Sequence, residues 1–161
     1  MLINRYIRIA PWIIILMSLF LGGCTSNGPI NSPGFDNRFT GVISNAENIF
    51  LYTAAEVQID NYMDDQIKLV DSYRGVMVLS SHAIRFLSWD VKEKAYRVQI
   101  DLPYRDLNQA KYGFNSLIPS YVAVRANNGE AFAFMIKDRE VVKLAYRFLM
   151  LGKAGHLSVP E

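Results

Sequence analysis

Cysteine is almost absent from this chain, since Cys24 is the only one among 161 residues. One cysteine excludes an intramolecular disulfide, and no group of histidines and cysteines has the spacing of a zinc site. Proteins exported to an oxidising compartment commonly use their cysteines in pairs. Cys24 is therefore either an incidental buried thiol or a residue with a chemical role, and its position in the chain favours the second interpretation.

Long apolar runs are also absent. The run from Ile9 to Leu21 is almost entirely apolar, but it is shorter than the roughly 20 residues that cross a membrane as a helix. Arg5 and Arg8 precede the run and small residues follow it, which is the pattern of a secretory signal peptide. We therefore interpret residues 1–23 as a cleaved signal peptide rather than a membrane-spanning helix.

The end of this segment carries a more specific motif, Leu21-Gly22-Gly23-Cys24. A leucine three positions before a cysteine, with a glycine directly before it, resembles the lipobox of bacterial lipoproteins. The resemblance implies cleavage before Cys24 and a covalent diacylglycerol and N-acyl lipid, such as palmitate, on that residue. Acyl chains on one residue would hold the mature protein at a membrane without a transmembrane helix. No other cofactor is expected.

The mature chain has no excess of charge of either sign. The 161 residues contain 17 basic and 15 acidic side chains, and the signal segment removes Arg5 and Arg8. Equal numbers of basic and acidic side chains remain. Overall charge therefore gives no sign of a nucleic-acid partner, although a local basic patch is compatible with it.

The segment after Cys24 is poor in apolar residues. From Thr25 to Gly41 most residues are Gly, Pro, Ser, Thr or Asn, a composition that favours turns or disorder. We expect residues 24–41 to form the lipidated cysteine and a flexible tether with a typical reach of about 20 to 25 Å. Residues 42–152 then form one globular domain, and residues 153–161 form a flexible tail.

Alternating apolar and polar residues predict strands in the domain. The clearest strand ends at Pro103, and its two faces consist of Tyr96, Val98, Ile100 and Leu102 against Arg97, Gln99 and Asp101. We expect the four apolar residues to share one face.

Two hairpins are predicted beside this strand. In the first, Gly75 precedes an apolar strand, and the polar residues Ser80, Ser81 and His82 separate it from a second strand at Ile84–Trp89. In the second, Tyr121–Ala126 and Ala131–Ile136 flank an Asn-Gly turn.

The last part of the domain changes to a helical period. Apolar residues recur every three or four positions between residues 138 and 151, so we predict a helix that Asp138 caps and Gly152 ends. The region before Gly75 is open to two interpretations. Ser44 and Glu47 have the spacing of a capping box for a short helix, whereas residues 57–59 and 67–70 are typical of strands.

The order of these elements resembles that of GRAM and bacterial PH-like domains. The resemblance rests on the hairpin Gly75-Val-Met-Val-Leu-Ser-Ser-His-Ala-Ile-Arg-Phe, the segment Asp101-Leu-Pro-Tyr-Arg-Asp-Leu107, a later hairpin and a closing helix. It implies a mainly β fold with a C-terminal α-helix: a bent antiparallel barrel or sandwich of about seven strands capped by one helix. It also implies a binding or scaffolding role rather than catalysis.

The same resemblance points away from phosphoinositides. Family members that bind these lipids use basic residues in the hairpin nearest their amino end, and the corresponding region of this chain, upstream of Gly75, has Asp60, Asp64 and Asp65. These aspartates lack the spacing of an EF-hand, so we interpret them as a solvated loop and expect no metal site. The resemblance therefore implies a protein or another lipid head group as the ligand.

Two further groups of residues could carry function. His82 beside two serines invites a hydrolase hypothesis, but no nucleophile elbow is present, and a turn histidine is the simpler interpretation. No catalytic residue is therefore predicted. A basic and aromatic patch around the Trp89 hairpin could touch lipid head groups or a partner, unless its charges only protect strand edges; its members are Arg85, Trp89, Lys92, Lys94 and Arg97.

These observations predict a membrane-anchored lipoprotein of the bacterial cell envelope whose domain recruits or stabilises an envelope protein or lipid. Thr25, rather than aspartate, follows Cys24, which by resemblance to enterobacterial sorting favours the periplasmic leaflet of the outer membrane over the inner membrane. The alternatives are a small envelope hydrolase and a purely structural subunit of an envelope complex.

Overall fold

The computed structural model describes residues 26–30, 32, 41–44, 46–59, 72–114 and 120–157. In these residues seven strands precede one α-helix: β1 (Ile49–Ile59), β2 (Ser72–Ser80), β3 (Ala83–Asp90), β4 (Ala95–Pro103), β5 (Leu107–Gly113), β6 (Tyr121–Ala126), β7 (Ala131–Met135) and α1 (Arg139–Lys153). A short 3-10 helix, Tyr104–Asp106, joins β4 to β5. Leu21, Gly22, Gly23 and Cys24 lie outside the described residues, and so do Asp60, Asp64 and Asp65.

The strands form one antiparallel sheet in the order β4-β3-β2-β1-β7-β6-β5. Strand β1 pairs with β2 over most of its length and with β7 only from Glu56 to Ile59. It therefore belongs to both halves of the sheet. No ladder joins β4 to β5 in the part of the chain that the structure describes, so the sheet is open there. No helix among these residues has the length and apolar character needed to cross a membrane.

The main core lies inside the bent sheet and draws residues from both halves. Phe86 of β3 and Phe134 of β7 are fully buried with ring centroids 6.2 Å apart. Full burial of such a side chain is worth about 1.5 to 3 kcal/mol. Helix α1 closes this core with Val142, Ala145 and Leu149.

A second apolar cluster covers the outer face of β2, β3 and β4. Val76, Val78, Leu87 and Tyr96 of the sheet pack there with Ile43, and the partly buried Ile30, Val42 and Trp89 border them. Strand β2 is therefore buried on both faces. This explains why its sequence is continuously apolar instead of alternating.

Strand β4 does not keep one apolar face along its length. It contains one extra residue, Gln99, between the partners of Phe86 and Leu87 in β3. An extra residue reverses the faces on either side of it. Ile100 therefore enters the inner core, whereas Tyr96 packs on the outer face. The prediction that the four apolar residues of β4 share one face is wrong.

The two predicted hairpins are present. Ser81 and His82 connect β2 to β3, and the turn after Ala126 connects β6 to β7. Gly129 has a φ of 93° in the second turn, as the Asn-Gly pair predicted. Gly75 is needed for another reason, because a Cβ there would collide with the backbone carbonyl of Leu87.

In the region before Gly75, the structure has a strand, β1, at Ile49–Ile59. The chain turns at Ser44, whose carbonyl accepts a hydrogen bond from the Glu47 N–H at 3.0 Å, and then enters β1. The short helix that Ser44 and Glu47 allowed is not formed in the described residues, because the Glu47 side chain is bound to Arg85 instead. The strand expected at 67–70 lies outside the described residues.

Helix α1 begins as predicted. One carboxylate oxygen of Asp138 accepts hydrogen bonds from the backbone N–H groups of Glu140 and Val141, at 2.8 and 3.4 Å. These bonds satisfy donors that a helix otherwise leaves open at its amino end. Leu144 and Leu151, two of the apolar residues that recur with the helical period, are exposed.

The prediction that Gly152 ends the helix is wrong. Gly152 lies within α1 against the ring of Tyr104, where a Cβ would approach the Cδ2 atom to 2.5 Å. The helix ends at Lys153 and is followed by Ala154 and by Gly155, which has a φ of 75°. The N–H of Gly155 bonds to the carbonyl of Gly152 and that of His156 to Leu151, at 3.0 and 2.9 Å, as in a Schellman motif.

Candidate functional site

Arg85 does not join the predicted basic patch, because it lies in a polar cluster at the other end of β3. Its Nη1 and Nη2 atoms donate hydrogen bonds to the Glu47 carboxylate at 2.5 and 3.0 Å. Its Nε atom contacts the Asp101 carboxylate at 2.9 Å. Only about a tenth of the Arg85 and Glu47 side chains is exposed. Arg85 is thus neutralised by two carboxylates and largely shielded from solvent.

Ser80 and Tyr104 extend this cluster. The Ser80 hydroxyl donates to Glu47 at 2.6 Å, and the Tyr104 hydroxyl donates to the Ser80 carbonyl at 2.9 Å. The cluster therefore ties the turn before β1, the β2–β3 turn and the end of β4 together. These contacts serve the architecture of the domain.

The charges in the cluster reinforce one another. Burial alone raises the pKa of Glu47, but hydrogen bonds from Arg85 and Ser80 outweigh it, and the pKa lies below its usual value. Burial alone lowers the pKa of Arg85, but the Glu47 hydrogen bond and the Asp101 charge raise it above its usual value. Burial raises the pKa of Tyr104. The ion pair is therefore formed at neutral pH.

The other four predicted patch residues surround the β3–β4 hairpin. Arg97 contacts Asp90 at 3.1 Å and Glu93 at 2.6 Å. Asp90 also accepts hydrogen bonds from the backbone of Glu93 and Lys92, which together with Arg97 lower its pKa. Lys92 and Lys94 are exposed in the connecting turn, and Lys94 has a φ of 51°.

Trp89 is covered by a segment that sequence reasoning assigned to the tether. We call residues 27–30 the N-terminal strap. The hydroxyl of Tyr96 donates a hydrogen bond to the Asn27 carbonyl at 2.9 Å, and Tyr96 and Trp89 form an edge-to-face pair at 4.9 Å. Gly28, with a φ of 69°, lies so close to both rings that a Cβ would approach the Tyr96 oxygen to 2.5 Å. The strap is therefore in contact with the domain.

Comparison with known proteins identifies the fold alone. No protein-family model matches the chain, and no curated protein matches it in sequence. Among solved structures, the activated truncation of Vav1 in its apo form matches 73% of this chain with a TM-score of 0.53 and 10% identity. Vav1 with an allosteric inhibitor matches 66% with a TM-score of 0.50 and 8% identity. The chain spans only 31% and 26% of the length of those structures.

Seven antiparallel strands followed by a C-terminal helix form the arrangement that the family resemblance implied. The domain has a PH-like fold. The pleckstrin homology domain of ArhGAP27 matches 64% of this chain and 99% of its own length, with a TM-score of 0.48 and 10% identity. Since all these identities are low, no residue's role is transferred from these structures.

His82 occupies an exposed turn of the PH-like domain. Its Nδ1 atom lies 2.8 Å from the Ser81 hydroxyl. The Glu47 carboxylate is already bound to Arg85 and Ser80. A hydrolase needs its histidine in a concave site beside an oriented acid, and this arrangement gives His82 neither.

An aromatic surface is formed where β5 meets α1. Tyr112 contacts Phe114 and Tyr146, with ring centroids 5.4 and 4.7 Å apart. The Arg139 guanidinium and the Lys143 ammonium lie 5.8 and 5.9 Å from the centre of the Phe114 ring. We call these five residues the aromatic–cationic surface.

The aromatic residues of this surface are partly exposed. Tyr112 is 45% exposed and Phe114 37% exposed, whereas Tyr104 is buried. Helical spacing alone would place Arg139, Lys143 and Tyr146 on neighbouring positions of one helix. Their contacts with Tyr112 and Phe114 depend on how the helix packs on the sheet, and the sequence pattern does not specify this packing.

Two open grooves on the described part of the domain are lined by charged residues. One, of about 420 Å³, lies between β1, β2 and the start of α1, and its charged residues are Glu56, Arg74, Lys137 and Asp138. The other, of about 570 Å³, has the acidic residues Asp101, Asp106 and Glu130 in its lining. Within the described ranges no group of three or more His, Cys, Asp or Glu side chains is arranged to hold a metal ion.

Proposed function

We propose that this protein is a membrane-anchored lipoprotein of the bacterial cell envelope whose PH-like domain recruits or stabilises an envelope protein. The observation that carries the binding role is the aromatic–cationic surface. In an alternative form of this proposal, the domain binds a lipid head group instead of a protein.

The chemistry of the surface supports a protein partner. Tyr112 and Phe114 offer broad apolar area, and Arg139 and Lys143 lie beside them. Aromatic residues and arginine dominate the energetics of many protein interfaces, because they bury much area with little loss of conformational entropy. A partner with acidic and apolar groups in alternation would complement this surface.

The lipid anchor rests on the motif at Cys24. Leu21, Gly22 and Gly23 match the expected cleavage signal, and Asn27 of the strap follows Cys24 by three positions in the sequence. A domain held this close to a membrane meets other envelope components at a high effective concentration. Thr25 favours the periplasmic leaflet of the outer membrane as the location.

Cells that produce the protein provide the test of the anchor. Intact mass and incorporation of labelled palmitate should show a lipid on the wild-type protein and none on a Cys24→Ser variant. The variant should leave the membrane fraction, and density separation of the two membranes should place the wild type in the outer one. A Cys24→Ser variant that stays fully membrane-bound contradicts the anchor.

Crosslinking in intact cells, followed by mass spectrometry, tests the binding surface. A Tyr112→Ser/Phe114→Ser variant should lose the crosslinked partner while it remains folded. Tyr73→Ser is a matched control, because Tyr73 on β2 is 43% exposed, close to the value for Tyr112. Equal partner recovery from all three proteins would contradict this role for the surface.

An apolar strip on the other side of α1 favours one alternative, a structural subunit of an envelope complex. Phe50 of β1 stacks on Phe148 at 5.4 Å, and the neighbouring helix positions Leu144 and Leu151 are exposed. A structural subunit should be much less stable when purified than within its complex. Equal resistance to proteolysis in both settings would argue against it.

A further inference from the structure

The N-terminal strap fixes where the chain leaves the domain towards Cys24. Asn27 follows Cys24 by three positions, and its carbonyl accepts the 2.9 Å hydrogen bond from Tyr96. Gly28 packs on Trp89 and Tyr96 in a conformation with a φ of 69°. Few residues other than glycine adopt this backbone conformation, and none of them would fit against the two rings.

The strap lies at the β3–β4 end of the sheet. Trp89 and Tyr96 pair with each other one position before the last pair of the ladder, Asp90 and Ala95. Three residues span at most about 10 Å even when fully extended. A lipid on Cys24 is therefore confined to the neighbourhood of the β3–β4 turn.

The turn itself has the composition of a membrane-contacting element. Val91 is 63% exposed and lies directly before Lys92. The two acids of the β3–β4 hairpin end itself, Asp90 and Glu93, are both engaged by Arg97. With Lys92 and Lys94 the turn carries three cations against two acids, which leaves a net positive charge on an exposed loop.

We infer that the β3–β4 turn is a second membrane contact, in which Val91 enters the head-group region of a bilayer and Lys92 and Lys94 lie against the phosphates of anionic lipids. The inference rests on the proposed lipid anchor at Cys24. Lysines near an anionic bilayer are attracted to its surface, and a neighbouring apolar side chain adds to the binding. Together with the anchor, this contact orients the domain.

The orientation has a consequence for the other end of β3. Eight residues at about 3.3 Å each separate the two ends of the strand by roughly 25 Å. The turn that contains His82 therefore lies on the side of the domain that is remote from the bilayer. The two ends of one strand thus provide a site expected in the membrane and a control expected in water.

The full lipidated protein can report this orientation because Cys24 is its only natural cysteine. Val91→Cys and His82→Cys each add one free thiol for a polarity-sensitive fluorophore. Both proteins are reconstituted into vesicles of phosphatidylethanolamine and phosphatidylglycerol, and iodide is added as an aqueous quencher. The fluorophore at position 91 should emit at shorter wavelength and be quenched severalfold less than the one at position 82.

Intact mass separates the two proposals. A lipidated protein with equal quenching at both positions overturns the membrane contact and leaves the anchor standing. A protein without lipid overturns both. Gly28→Ala, introduced into the Val91→Cys protein, should detach the strap and expose the fluorophore to iodide while the lipid is retained.

A charge reversal tests the role of the lysines. Lys92→Glu should reduce protection of the fluorophore at position 91, and the reduction should disappear in vesicles of neutral lipid alone. Arg105→Glu is the matched control, because Arg105 is also highly exposed but belongs to the connection between β4 and β5. Equal effects of the two reversals would overturn the proposed contact.

Discussion

Arg85 and Glu47 are joined by two hydrogen bonds although 38 positions separate them in sequence. Both side chains are almost completely shielded from solvent, and Ser80 donates a third hydrogen bond to the same carboxylate. Charged hydrogen bonds of this kind are shorter and stronger than neutral ones. The pair holds the chain before β1 against the outer face of the sheet.

Loss of the Glu47 carboxylate should destabilise the domain strongly. Glu47→Ala leaves the shielded Arg85 with Asp101 as its remaining carboxylate partner, and we expect a loss of about 2 to 3 kcal/mol in the free energy of unfolding. Urea denaturation at neutral pH measures this loss. Glu56→Ala is the control, since its pair with Arg74 spans 3.6 Å at the surface and should contribute less than about 1 kcal/mol. Equal losses would contradict the importance of burial.

The same pair should make stability depend on pH in the acid range. Hydrogen bonds from Arg85 and Ser80 hold the pKa of Glu47 in the folded protein below the usual glutamate value of 4.5. The stabilisation is therefore present above that value and is lost as the pH falls through the lower, folded-state pKa. Between about pH 5 and pH 3, the wild type should lose more unfolding free energy than Glu47→Gln does. Parallel stability curves for the two proteins would disprove this.

Gly75 should tolerate no side chain. Gly75→Ala places a Cβ against the backbone carbonyl of Leu87 and near the Phe86 ring, and a backbone atom cannot move without disrupting the β2–β3 ladder. We expect a loss of more than about 3 kcal/mol or failure to fold. Gly129→Ala meets no atom within 4 Å and should cost about 1 to 2 kcal/mol through its positive φ alone. Urea midpoints compare the two variants.

Detachment of the strap should be visible in the fluorescence of Trp89. The chain contains two tryptophans, and Trp12 lies in the predicted signal peptide, so Trp89 is the reporter in the mature form. Gly28→Ala should shift its emission to longer wavelength and increase quenching by acrylamide, because water reaches the uncovered ring. Gly41→Ala is the control: Gly41 also has a positive φ, of 87°, but no atom lies within 4 Å of its Cβ position. A similar shift in both variants would mean that backbone strain, not loss of the contact, is responsible.

Several elements of the fold could be predicted because their causes are local. The Asn-Gly turn at Gly129 and the Asp138 cap depend on residues that are neighbours in the chain. The extra residue Gln99 in β4 could not be predicted in this way, because the alternating pattern continues through it. Gly152 was misread for a similar reason: a glycine after an apolar helix is typical of a helix end, yet here it makes room for the Tyr104 ring.

The candidate surfaces were harder to predict, because they depend on contacts between residues that are far apart in the sequence. Sequence reasoning grouped Arg85 with Lys92 and Lys94 because all three are basic and lie in one hairpin. Glu47 and Asp101 neutralise Arg85 from other segments of the chain. Tyr112 and Phe114 contact Tyr146 and Arg139 only because α1 packs on β5.

By itself the sequence determined the order of strands and helix, the PH-like resemblance and the whole case for a lipid on Cys24. These conclusions follow from periodicity and short motifs, which act over a few residues. Only the tertiary structure decided which charges are paired, which aromatic residues are exposed and that the strap lies on Trp89 and Tyr96. Burial and ion pairing depend on the segments that fold over a residue, and local patterns carry little information about those segments.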